Sequence, residues 1–176
     1  MEDEQYAALQ SAIREALITF KDLRLTAVED IPVGDGTLLI ERFSDRIDDV
    51  SGWLEEMSDS LSECLVQRTK GQEKETLRRA LVFCESLTIK VTSAFGQDLV
   101  SYETIRELRR LGRRRGPEWI AWGLSLEHAL EACRAPIEGV QRALVTAWSE
   151  MAKQTAAGVV VTNTSIGIAG APVNGV

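Results

Sequence analysis

Apolar residues step by three and four along most of this chain, the spacing of a helix that buries one face. Tyr6, Leu9, Ile13, Leu17 and Phe20 form the first stripe and predict a helix from about Asp3 to Arg24. Pro32, Gly34 and the Asp35-Gly36 pair then supply turn chemistry. Leu39, Phe43, Ile47, Val50, Leu54, Met57, Leu61 and Leu65 predict a second helix. Gly52 is a candidate break inside it, because glycine costs about 1 kcal/mol relative to alanine there. Leu77, Leu81, Leu87 and Val91 predict a third helix over about Glu73 to Ala94, closed by Gly96.

Ser101 is a good N-cap for a fourth helix, with Ile105, Leu108 and Gly112 on one side. Gly116-Pro117 marks a boundary, and Pro117 suits the first position of a short helix holding Trp119 and Trp122. Gly123 is expected to end that helix and Ser125 to cap a long final one. Leu126, Leu130, Cys133, Ile137, Val140, Leu144 and Trp148 form the last stripe, with a kink expected near Ala132 because Pro136 removes one hydrogen bond. After Lys153 the pattern stops. From Gln154 to Val176 no residue is charged, and Ala, Gly, Val, Thr, Asn, Ser and Ile dominate. The expectation is an all-α fold: one helical bundle over 1–153 and a non-helical, flexible tail over 154–176.

Composition narrows the function. The 176 residues are 44% apolar and 27% charged, enough for one core. No run of 18 apolar residues occurs, and the chain starts Met1-Glu2-Asp3-Glu4, acidic where a signal peptide is basic. Cys64, Cys84 and Cys133 are far apart and odd in number, as reduced buried thiols are. A cytoplasmic protein is expected. His128 is the sole histidine, so a zinc site built on two histidines is excluded by counting. A haem ligand is conceivable at His128, but no second ligand is suggested. No cofactor, no metal and no catalytic residue are expected.

The net charge of −7 disfavours a general attraction to nucleic acid or to anionic lipid; whether a membrane is a partner is otherwise left open. Charge is uneven, however. Between Tyr102 and Arg115 six arginines stand against two glutamates. Arg106, Arg109, Arg110, Arg113 and Arg114, with Trp119 and Trp122, are the candidate partner-binding residues. Trp148 is a candidate third member of that tryptophan cluster, and a ligand pocket among them is an alternative. The carboxylates Asp45, Asp48, Asp49, Glu55 and Glu56 fall on polar helix faces with no nucleophile or base beside them. In the tail, Val160, Asn163, Ile166, Ile168 and Asn174 have the β-propensity and amide side chains that suit self-assembly by stacking.

The segment Ile105-Arg106-Glu107-Leu108-Arg109-Arg110-Leu111-Gly112-Arg113-Arg114-Arg115, followed by Gly123-Leu124-Ser125-Leu126-Glu127-His128-Ala129-Leu130-Glu131-Ala132, carries a resemblance. It resembles the N-terminal helical sensor domain of PucR/CdaR-type and RsbR-type regulators. That resemblance implies a globin-like helical fold without haem, usually dimeric, that passes a signal to an output domain. In layout, a helical domain with a short uncharged tail is also similar to bacterial and fungal amyloid-signalling proteins. The expectation is thus a non-catalytic regulatory domain that works by protein–protein contact, as a homo-oligomer and with another signalling protein. The alternative is an amyloid-type signalling effector, in regulated cell death or immunity, recruited through its tail.

Overall fold

The structure, a computed structural model, describes residues 2–32, 38–66 and 72–169, with side chains at 4, 6–32, 38–66 and 72–158. All secondary structure among them is helical: α1 (Glu2–Arg24), α2 (Leu38–Val66), α3 (Glu73–Ala94), α4 (Tyr102–Arg115) and α5 (Pro117–Ala169). The fold is all-α. Two wide π turns, Leu25–Glu29 and Phe95–Leu99, finish α1 and α3.

Four helices form a ring. Helix α1 packs on α2, α2 on α3, α3 on α5, and α5 back on α1. Helix α4 folds against the start of α5 as an antiparallel hairpin. The stripes read from the sequence are the core: Leu9, Ile13, Phe20, Ile47, Leu54, Met57, Leu61, Leu81, Leu126 and Leu130 are fully enclosed. Phe20 and Phe95 meet edge to face with ring centroids 6.2 Å apart, which seats the second π turn on α1.

Several expected boundaries dissolve. Helix α2 runs through Gly52 and α5 runs through Gly123 and Pro136. The expected break at Gly123 and cap at Ser125 are therefore corrected: Ser125 is exposed in mid-helix, and 117–169 is one helix. Trp119, Trp122, Leu126, Leu130, Cys133, Ile137, Val140, Leu144 and Ala147 make an unbroken buried stripe, and burial on that scale outweighs glycine's local cost. Pro136 deprives the Ala132 carbonyl of its donor, but Ala132 is exposed, where water can serve that carbonyl. Gly96 does not close α3 in the left-handed conformation; it lies inside the π turn, and Gly116 is the one described residue with that sign of φ.

The helix also does not end at Lys153. It continues through the uncharged segment to Ala169, so a non-helical tail beginning at 154 is corrected over 154–169. Gln154-Thr155-Ala156-Ala157 contains no breaker, and Thr155 Oγ1 donates to the Met151 carbonyl at 3.0 Å, a bond that stays within the helix. Among the described side chains, Met151 is the last apolar residue packed on the core.

Candidate functional site

Helix α4 starts where expected. Ser101 Oγ accepts from the Thr104 amide at 3.2 Å and donates to Thr104 Oγ1 at 2.8 Å; Thr104 Oγ1 donates to the Asp98 carbonyl at 2.8 Å. The helix therefore springs from the second π turn in a defined direction. At its far end Gly116 has φ 107° and ψ −172°, a conformation side chains rarely adopt, and the chain reverses into Pro117. The hairpin closes tightly there. A Cβ on Gly112 would lie 3.3 Å from both Cα and Cγ1 of Ile120, so the two backbones approach closely there and any larger residue must push them apart by a few tenths of an ångström.

Between the helices runs a shallow groove. Its turn-proximal part, about 450 Å³, is lined by Leu108, Gly112, Arg113, Trp119, Ile120 and Leu124. Its distal part, about 320 Å³, is lined by Val100, Ile105, His128, Leu130, Glu131 and Arg134 among others. The Arg109–Glu127 pair lines both parts and spans from α4 to α5: Nε to Oε1 at 2.9 Å and Nη2 to Oε2 at 3.1 Å. This fork, by hydrogen bond first and by charge second, holds the Arg109 guanidinium above its ordinary pKa.

The arginines sort into three kinds. Arg109 is paired. Arg115 lies over the Trp119 ring, 4.7 Å from its centroid. Arg106, Arg110, Arg113 and Arg114 are exposed and have no carboxylate partner among the described residues. By spacing, Tyr102, Arg106, Arg109 and Arg113 share one edge of α4, the edge that faces the groove. Across it, Ile120 and Leu124 are 44% and 53% exposed, one turn apart on α5.

The tryptophans are placed differently from expectation. Trp119 and Trp122 do pair, edge to face at 5.6 Å, but each is only 6% exposed. Trp122 Nε1 donates to the Thr26 carbonyl in the first π turn at 2.8 Å, tying α5 to the end of α1. As contact residues Trp119 and Trp122 are corrected to a buried prop and a buried tie. Trp148 lies 26 residues further along the same helix, packed on the core, and does not join them. Ile120 and Leu124, which hydrophobic periodicity leaves off the core stripe, are the exposed apolar residues of this groove that sequence reasoning missed. The available signal was their one-turn spacing beside that stripe.

The remaining candidates fall out simply. His128 is exposed. Asp48 pairs with Arg24 at 2.8 Å and Arg46 with Asp98 at 3.0 Å, which tie α2 to the end of α1 and to the second π turn, while Arg46 also pairs with Asp49 at 3.3 Å within α2. Cys64, Cys84 and Cys133 are buried thiols that form no disulfide, as expected. Among the described residues no group of three or more His, Cys, Asp and Glu could hold a metal ion, and no helix is long and apolar enough to cross a membrane. The backbone of Val160, Asn163, Ile166 and Ile168 lies in α5, their side chains lie outside the described residues, and Asn174 lies outside them altogether. Compared with protein-family models, with curated proteins and with solved structures, the chain finds no match.

Proposed function

We propose that the chain is a non-catalytic regulatory domain that acts by protein–protein contact, as a homodimer and with a second signalling protein. One observation carries the reading: the α4–α5 groove places exposed Ile120 and Leu124 beside Arg113, which no carboxylate of the described chain engages. Protein contact surfaces combine apolar groups with arginine. The helix that carries this face also threads the core from Trp119 to Met151. A load on the groove therefore reaches the helix ring without an intermediate loop. For pairing of two copies the reading uses a separate surface, Val82, Phe83 and Ile89 on α3, which are 50%, 41% and 60% exposed.

Sedimentation equilibrium of the full chain tests the reading, with Phe83→Glu and Ile89→Lys as the altered forms. A dimer that dissociates in both variants supports it. A monomer at every concentration removes the homodimer. Thioflavin-positive fibrils from the full chain would replace the reading with tail-driven assembly.

A further inference from the structure

The geometry points to an occupant for the α4–α5 groove: an acidic amphipathic helix of a partner protein, apolar on one stripe with carboxylates beside it. The inference rests on the protein–protein reading above and specifies its partner.

Four observations converge on that chemistry. First, the groove floor is apolar, with Ile120 and Leu124 exposed over buried Leu108 and Trp119. A partner must bring an apolar side chain to cover them, which a phosphate backbone cannot do. Second, the carboxylates that line the groove are already engaged. Glu127 is held by Arg109, and Glu131 by Arg134 at 3.0 Å. Arg113, which lines the groove, and Arg106, on the same edge of α4 by spacing, have no such partner among the described residues, so that edge is left positive for a partner's carboxylates. Third, those arginines do not form a uniform positive field. Glu103 and Glu107 stand among them on α4 and would repel a continuous polyanion. Discrete carboxylates at helical spacing avoid them. Fourth, the groove lies between two antiparallel helices, a form that accepts a third helix through anchors one turn apart. Ile120 and Leu124 offer contacts at that spacing.

The Arg109–Glu127 fork sits where the two parts of the groove meet, so a docking helix lies over it. The fork stays closed beneath the partner and keeps Glu127 from opposing the partner's carboxylates.

The test uses the full chain and a fluorescein-labelled 18-residue peptide of Leu, Ala and Glu. Leucines occupy one stripe at three- and four-residue steps and glutamates flank it. Control peptides carry Lys for Glu or Ser for Leu, and an 18-nucleotide single-stranded DNA serves as polyanion. Fluorescence anisotropy is read at low and physiological salt. The Glu/Leu peptide is expected to bind at least tenfold more tightly than either control peptide and the DNA. Arg106→Glu with Arg113→Glu, and separately Leu124→Ser, are expected to weaken it at least tenfold, with circular dichroism and melting temperature kept as for the parent chain.

DNA binding that equals or exceeds peptide binding overturns the proposal in favour of a phosphate surface. No binding, or equal binding to the variants, also overturns it. Concentration-dependent self-association lost in the arginine variants assigns the groove to a second copy and overturns it too. None of these outcomes touches the α3 pairing surface, which sedimentation of Phe83→Glu decides independently.

Discussion

Arg109 on α4 and Glu127 on α5 grip each other through two parallel hydrogen bonds of 2.9 and 3.1 Å, yet the arginine side chain remains 64% exposed and the glutamate 19%. Two-point geometry makes the pair specific, and solvent keeps it weak. Arg109→Ala is therefore expected to leave the melting temperature nearly unchanged at low salt. The small loss that remains should vanish near ~1 M salt, where charges are screened within about 3 Å. A large, salt-independent loss in thermal melts would mean that the pair supports the hairpin by packing.

The hairpin turn depends more on glycine. Gly116 has φ 107°, and Gly112 stands where a Cβ would press on the Ile120 backbone at 3.3 Å. Gly116→Ala pays for a disfavoured conformation, about 1–3 kcal/mol. Gly112→Ala forces α4 away from α5, about 1–3 kcal/mol by the ordinary cost of overpacking. Because the crowding atoms at Gly112 include backbone, side-chain rotation cannot relieve it. Urea unfolding should show both losses. Sparing of the Gly112 variant alone would mean the helices can spread freely.

Trp122 joins distant parts of the chain. Its ring is buried against Trp119, and its Nε1–H reaches the Thr26 carbonyl at 2.8 Å, 96 residues away. Trp122→Phe keeps most of the apolar burial and removes the donor. A loss of about 1–2 kcal/mol is expected, from a carbonyl left unmet in a part-buried site. Hydrogen exchange should quicken at Leu25–Glu29 before the rest of α1. Uniform quickening throughout α1 would show that the bond stabilises the whole fold instead of the turn.

Hydrophobic spacing made the buried stripes legible, from Tyr6 to Leu144, because burial of a helix face repeats with the helix. The Ser101 cap and the Gly116-Pro117 turn were legible too, since their chemistry is local. What escaped was decided between helices. Gly123 reads as a stop, yet the stripe from Trp119 to Ala147 carries the helix through it. The π turns after Arg24 and Ala94 leave no mark in the residue pattern, because they are stabilised by contacts such as Trp122 to Thr26 and Phe20 to Phe95. For the groove, the arginines stood out by composition. Which of them are already paired depends on the register of α4 against α5, which the spacing of either helix alone does not contain.

The buried thiols give the fold a pH limit. Burial pushes the Cys84 thiol from its ordinary 9.0 up to about 12, with nearby Cys64 adding to the rise. Burial raises Cys133 likewise to about 12, with Asp22 contributing. Below about pH 9 both folded and unfolded chains keep these protons, and stability does not depend on them. Between about 9 and 12 the unfolded chain ionises while the folded chain does not, so stability falls as pH rises. Each thiol contributes roughly 1.4 kcal/mol per pH unit across that window. Urea midpoints measured from pH 8 to 10.5 should therefore fall more steeply for the parent chain than for a Cys84→Ala, Cys133→Ala variant, whatever stability the cavities themselves remove. The same protons keep the thiols unreactive: at pH 8 a disulfide reagent should modify neither residue until urea opens the core. Equal pH slopes for parent and variant, or prompt labelling of the native chain, would show that water reaches these sulfurs and that the α2–α3 and α1–α5 contacts around them open far more readily than their burial implies.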